Sequence, residues 1–352
     1  MKIGSVDLAP PFGLAPMAGM TDTAFRRLVK RRGGCGLVVT EMVSSEGLVR
    51  GIDRTLEYAE YTEEERPVSI QIFGGDPEKM AAAAQIVEGM GADIVDVNMG
   101  CPVPKIAKHN AGCSLMREPE HAQQVVSAMT KAVRIPVTVK MRAGWDEHQL
   151  NAPELARRMQ DAGAAAVTVH GRTAAQSYSG FSDWMLIGRV ASGVTIPVFG
   201  SGDCIEPSQL VDRASSSGVA GVLVGRGALR NPWIFQQAAA LARGETITEI
   251  TLEDRGRFLL EYIDMLLRER TGEAAGFRHV APGQAETTVA RGHDRWVINK
   301  LRALNSWYTK GLDNGSHLRT AINAAESLQQ LRDVVVAFFG VSELEAASTS
   351  FV

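Results

Sequence analysis

Cysteine is scarce in this chain, and Cys35, Cys101, Cys113 and Cys204 form no Cys-x-x-Cys pair. That spacing excludes a disulfide framework and the usual zinc knuckles, so free thiols and no resident metal are expected. No apolar run approaches the ~18 residues of a membrane span, and no basic-then-apolar leader opens the chain. A cytoplasmic protein without a membrane partner is the expectation. No Gly-x-Gly-x-x-Gly follows the first strand-like segment, which argues against an open dinucleotide-binding sheet. Excess positive charge is also missing, the formal net charge being -3. That average hides a gradient: residues 255 to 319 carry 11 Lys and Arg against 7 Asp and Glu, a local +4. A basic patch of that kind suits a polyanion, or else is simply a solvated helix surface.

Three segments open a strand with Pro-Val, at Pro67, Pro136 and Pro197. Between them, Gly91, Gly163 and Gly218 each end a helix-like stretch and open segments that run as strands to Asn98, His170 and Gly225. Gly after a helix and Pro at a strand start are what a repeated βα unit calls for. Two earlier strands, near Gly13–Met17 and Leu37–Thr40, bring the number to eight, spaced at about the 30-residue period of βα units. The spacing predicts a TIM (β/α)8 barrel over residues 1–244. A smaller all-helical domain over 245–352 follows, with helices at Phe258–Leu267, Val297–Tyr308 and Leu318–Phe338. Residues 271–293, rich in Gly, Ala and Thr, read as a loop.

In such barrels chemistry gathers where strands end. Those points here hold Pro16, Met17 and Ala18, then Glu41, Gln71, Asn98 to Cys101, Lys140 with Arg142, and His170 with Arg172. The last two strands end in Gly200-Ser201-Gly202-Asp203 and Gly225-Arg226-Gly227-Ala228, paired glycine-rich turns whose backbone N–H groups suit a phosphate. Lys140 fits either a Schiff base or a cation that stabilises charge on a bound ring. Gln71 and Asn98, amides suited to a flat heterocycle, favour the second role. Flavin mononucleotide supplies both ring and phosphate.

Leu14-Ala-Pro-Met-Ala-Gly-Met-Thr-Asp22, Gln71-Ile-Phe-Gly74, Asn98-Met-Gly-Cys-Pro102, Lys140-Met-Arg142, His170-Gly-Arg-Thr173 and Gly225-Arg-Gly-Ala228 together resemble the tRNA-dihydrouridine synthase family, nearest its bacterial B-type branch. The resemblance spans nearly the whole chain. It implies FMN-dependent reduction of the C5=C6 bond of uridines in the tRNA D-loop, with NADPH restoring the flavin. By this resemblance Cys101 is the general acid that protonates C5, while hydride passes from flavin N5 to C6. Lys140 faces the pyrimidine edge of the flavin; Pro16, Met17, Ala18, Gln71 and His170 seat it. Ser201, Gly202, Asp203, Gly225 and Arg226 take its phosphate or ribityl chain. Asn98 and Arg142 address the uridine, with Lys105, Arg172 and Tyr178 as further contacts on the RNA side. The helical domain grips tRNA phosphates through Lys300, Arg302, Lys310 and Arg319.

Two departures fall on the presumed RNA face. Arg302 is followed by Ala303-Leu304 where the branch has Lys-His, and the 271–293 loop is long. Ser201 stands where Asn is common, and its hydroxyl can still serve a phosphate or ribityl oxygen. Competing readings are an FMN barrel acting on a free pyrimidine, as dihydroorotate dehydrogenase does, and a redox-inactive tRNA-binding protein.

Overall fold

The computed structural model describes residues 1–107, 110–284 and 294–341. Eight parallel strands close on themselves: β1 (Phe12–Leu14), β2 (Leu37–Val39), β3 (Val68–Phe73), β4 (Ile94–Met99), β5 (Val137–Arg142), β6 (Ala166–His170), β7 (Val198–Ser201) and β8 (Gly221–Val224). Each pairs with its chain neighbour, and β8 pairs with β1 to complete a TIM barrel.

Helices alternate with the strands, and several start at a side-chain cap. In α1 (Thr23–Arg32) Asp22 accepts from the Phe25 N–H; in α2 (Pro77–Gly89) Asp76 accepts from two N–H groups, with Pro at the first position. The outer layer continues through α3 (Pro119–Ala132), α4 (Ala152–Asp161), α5 (Trp184–Ser192), α6 (Pro207–Ser217) and α7 (Ile234–Ala242).

Strand alternation sends Ile94, Asp96 and Asn98 inward and Val95, Val97 and Met99 to the helices. The barrel interior is therefore layered. Ile3, Leu37, Val39, Ile94, Ala166, Phe199 and Leu223 form an apolar plug. Ile3 comes from an N-terminal hairpin, Lys2–Ile3 with Val6–Asp7, that covers the bottom. Ser69, Asp96, Thr138 and Thr168, all buried, line one small cavity together with the plug, and the residues at the strand ends lie beyond them.

The helical region holds α8 (Leu252–Leu267), α9 (Asp294–Tyr308), α10 (Gly315–Ala324) and α11 (Leu328–Phe339). Thr251 and Asp254 form the capping box that starts α8. Phe258 and Tyr262 pack edge-on against Phe25 of α1, fastening this region to the barrel. Burying each such side chain contributes about 1.5 to 3 kcal/mol.

The spacing from Leu318 to Phe338 predicts one helix, and the structure has two. Ala325 is extended, and the Ser327 side chain accepts from the Gln330 N–H to start α11 afresh. The 271–293 segment is not loop throughout: Arg278–His279 pairs antiparallel with Tyr61–Thr62, and residues 285–293 lie outside the described residues.

Candidate active site

A cleft of about 400 Å³ opens at the C-terminal ends of the strands, within the size range of ligand sites. Sequence position explains its lining. Register sets Gln71 beside Asp96 and Asp96 beside Thr138; one layer higher it sets Asn98 beside Lys140 and Lys140 beside Thr168. The top layer aligns Arg142, His170 and Ser201.

The amides of Gln71 and Asn98 are committed to each other. The backbone N–H groups of Gly100 and Cys101 donate to Asn98 Oδ1 at 3.1 and 2.9 Å. A backbone N–H can only donate, so Asn98 Nδ2 faces the other way and donates to Gln71 Oε1 at 2.7 Å. Gln71 Nε2 then donates to Asp96 Oδ2 at 2.6 Å, and the Thr138 hydroxyl donates to Asp96 Oδ1 at 2.6 Å. Two N–H groups of the thiol loop thus fix the polarity of a chain ending on a buried carboxylate. Burial pushes that carboxyl's pKa up, while its bonds to Gln71 and Thr138 and the nearby Lys140 pull it down.

Arg142 ties the same loop from the other side. Its Nε donates to Gly100 O at 2.8 Å, and Nη1 donates to Thr173 O and Ser177 O, each at 2.9 Å. Nη2 has no partner among the described residues.

Lys140 lines the cleft with no hydrogen-bond or ion-pair partner among the described residues. Burial, and then the charge of Arg142, bring its pKa down to about 8. The thiol of Cys101 is half-buried, and desolvation raises its pKa above the ordinary value, against the opposing pull of the Val103 N–H, Arg142 and Lys140. It is a thiol, not a thiolate, at neutral pH.

His170 Nδ1 accepts from the Arg172 N–H at 3.2 Å, so the neutral ring carries its proton on Nε2. Burial first, then the surrounding cations Lys140, Arg142, Arg172 and Arg226, bring its pKa down to about 2. It stays neutral throughout the working range.

The two glycine-rich turns stand back to back. Gly202 has φ +120°, and a Cβ there would lie 2.4 Å from Ser182 Oγ; a Cβ on Gly227 would lie 2.1 Å from the Cys204 carbonyl oxygen. Only glycine fits at both positions. Asp203 accepts from the Ser182 N–H at 2.7 Å, pairs with Arg172 at 2.8 Å and lies 3.5 Å from Arg226. Its carboxylate orients those two guanidinium groups.

Pro16, Met17, Ala18, Gln71, Asn98, Cys101, Lys140, Arg142, His170, Tyr178, Ser201, Gly202, Asp203, Gly225 and Arg226 all line this one cleft. The structure does not gather the others there. Arg172 is buried, donating to Ser179 O and Gly180 O besides pairing with Asp203. Lys300 pairs with Asp22 at 2.9 Å. Arg302 donates to Ala325 O, at the break between α10 and α11, and Arg319 donates to the Thr309 hydroxyl. Lys310 is exposed beside the Trp307 ring, 3.8 Å from its centroid. Lys105 stands on the short helix Pro104–Ala107, and its side chain lies outside the described residues.

Sequence reasoning missed Met42, Val103, Ile205 and Trp307 as lining residues. Trp307 comes from α9, so the helical region completes the cleft wall. Arg226 lies between the Tyr178 and Trp307 rings, 5.5 and 5.7 Å from their centroids. A signal existed: Trp307 falls off the Val297, Leu301, Leu304, Tyr308 stripe that buries α9.

Comparison with known proteins decides the family. A family model described as dihydrouridine synthase matches residues 13–339. The chain belongs to the dihydrouridine synthase family. A probable tRNA-dihydrouridine synthase of Rhodobacter capsulatus is 45% identical over 306 residues, covering 86% of this chain and 90% of that one. One of Rickettsia bellii is 37% identical over 341 residues, covering 96% and 98%. The tRNA-dihydrouridine synthase B of Xanthomonas axonopodis pv. citri is 36% identical over 329 residues, covering 93% and 92%. Among solved structures, morphinone reductase superposes with TM-score 0.50 at 13% identity, over 71% of this chain and 90% of that one. That likeness is one of fold. Family membership makes this chain an enzyme, and the cleft is the candidate place for its chemistry.

Proposed function

We propose that this enzyme reduces the C5=C6 bond of uridines in the D-loop of tRNA, with FMN held in the cleft and NADPH as the electron source. The observation that carries the reading is the pairing of an uncommitted ammonium, Lys140, with a held thiol, Cys101, below two open glycine turns. The residues present fit the cofactor. Lys140 offers charge to an anionic ring edge, the turns at Gly202 and Gly225 offer N–H groups to a phosphate, and Arg226 adds a guanidinium. His170, neutral with Nε2–H as donor, adds a hydrogen bond without charge. Pro16, Met17 and Ala18 form a further part of the cleft wall.

When bound, the flavin supplies the hydride. The rest falls to the chain. Cys101 holds a proton that its raised pKa keeps in place at neutral pH, and gives it to C5 of the base. The thiolate left behind lies in the field of Lys140 and Arg142, and it regains its proton from solvent through the open side of the loop. Arg142 Nη2 and Tyr178, 69% exposed at the rim, are the contacts proposed for the uridine and its neighbours. Asn98 acts on the loop, not on the base. A uridine must leave its stack to enter, at a cost of a few kcal/mol. The locally basic helical region, with Lys310 exposed, is proposed to offset that cost through phosphate contacts.

The test is a titration of apoprotein with FMN, followed by NADPH. Yellow, stoichiometric protein that bleaches with NADPH is the expected result; no binding would remove the cofactor from the cleft. The titration also has a pH signature. Lys140 is an ammonium below about pH 8 and loses its charge above it. FMN affinity is expected to hold below that pH and to fall by up to about tenfold per pH unit above it. Lys140→Met should bind more weakly at neutral pH and show no such fall.

A further inference from the structure

Lys300 looks like an RNA contact from sequence, yet its ammonium points at the barrel. Its Nζ lies 2.9 Å from Asp22 Oδ2, 3.9 Å from Glu41 Oε1 and 3.5 Å from the Gly19 carbonyl oxygen. An ammonium has three N–H donors, and here three acceptors surround it. Two belong to the β1–α1 turn, and the third belongs to the loop after β2.

That turn builds one wall of the cleft. Met17, Ala18 and Met20 line it, and the backbone folds back through Met20 N–H and Thr21 N–H, both donating to Met17 O at 3.0 and 3.1 Å. Thr21 Oγ1 accepts from the Met17 N–H at 3.1 Å and staples the turn from inside. From outside, Glu41 Oε2 accepts from the Gly19 N–H at 2.5 Å. Gly19 has φ +80°, so the turn's conformation depends on that contact more than on a side chain of its own.

Glu41 is buried, and its second oxygen has no hydrogen-bond partner among the described residues. Lys300 is the cation beside it. Asp22 is doubly used: one oxygen caps α1, and the other accepts from the Tyr262 hydroxyl of α8 at 2.7 Å. Two helices of the C-terminal region therefore grip the turn, Tyr262 through Asp22, and Lys300 through Asp22 and the Gly19 carbonyl, with its charge set beside Glu41.

We infer that Lys300 is a positioning residue for the cofactor wall, holding Met17, Ala18 and Met20 in place through Gly19, Asp22 and Glu41, and is not a phosphate contact for RNA. The inference rests on the flavin reading for its functional consequence, but not for its geometry.

The experiment compares wild type with Lys300→Met and Glu41→Gln by three readouts. Hydrogen exchange of peptides covering residues 16–22 should accelerate in both variants while β4 to β6 stay protected. FMN should bind about tenfold or more weakly in both, the effect expected when a charge-assisted contact is lost. Lys300→Arg should recover most of that affinity. The salt dependence of tRNA binding should be unchanged in Lys300→Met. Unchanged exchange at 16–22, together with a salt slope lowered by about 0.7 to 0.9, would overturn the inference and restore Lys300 as a phosphate contact. If Lys300→Met does not fold, Glu41→Gln alone decides, since it leaves every cation in place; wild-type exchange and affinity in that variant would overturn the inference. If wild-type protein binds no FMN, the flavin reading fails, and the exchange measurement still decides the role of Lys300.

Discussion

Replacing Cys101 with alanine is expected to lower dihydrouridine formation by on the order of 10²- to 10⁴-fold, the usual worth of a positioned general acid. FMN binding and its reduction by NADPH should stay at wild-type values. The separation follows from geometry. Cys101 reaches the cleft from the β4 loop, whose conformation is set by its backbone N–H bonded to Asn98 and by Arg142 on Gly100 O, not by the thiol. Alanine keeps that backbone and removes only the proton source. Serine at the same position tests the acid's strength: a hydroxyl holds its proton far more tightly and should recover little. Full turnover in Cys101→Ala would remove the thiol as the acid.

Asn98→Asp replaces one heavy atom and should do nearly as much harm, because it breaks the polarity of the amide chain. The introduced carboxylate still accepts from the Gly100 and Cys101 N–H groups. Its other oxygen, however, faces Gln71 Oε1, acceptor against acceptor, where a 2.7 Å hydrogen bond stood. Turning Gln71 over only moves the conflict to Asp96. One buried bond lost and one buried acceptor stranded cost roughly 1 to 3 kcal/mol of stability. The loop that presents Cys101 loosens with it.

The sign of the pH response follows. Relief comes only when one of the two carboxyls takes up a proton, so the introduced group's pKa is raised in the folded state above its unfolded value. A raised group contributes its stability below the unfolded pKa and loses it as pH rises through the folded one. The Tm deficit of Asn98→Asp relative to wild type should therefore be full at about pH 8 and shrink toward about pH 5. A deficit that grows on acidification would contradict the chain of bonds drawn here.

The barrel could be read from sequence because its punctuation is local. Pro before Val at Pro67, Pro136 and Pro197, and Gly after a helix at Gly91, Gly163 and Gly218, act on the residue's own backbone. The strand ends followed from that, and so did the residues that share the cleft. What stayed hidden was non-local. Gln71 and Asn98 look like ligand-facing amides until register places them beside Asp96, although a carboxylate inside an apolar strand was itself a sign that partners would be needed. Lys300 counts as one positive charge in a basic segment; only the docking of α9 on the β1–α1 turn reveals that acceptors from Gly19, Asp22 and Glu41 surround it. The helix break at Ala325 was hidden for the opposite reason. The apolar spacing runs across it unbroken, and a single Ser327 cap restarts the helix.

Uridine in the tRNA D-loop is the proposed substrate. The most direct test maps dihydrouridine at nucleotide resolution in tRNA from cells lacking this gene and from the same cells with wild type or Cys101→Ala restored. Loss of dihydrouridine at D-loop positions, recovered by wild type and not by Cys101→Ala, is the predicted result. Dihydrouridine unchanged at every tRNA position in cells that contain no second family member would contradict it.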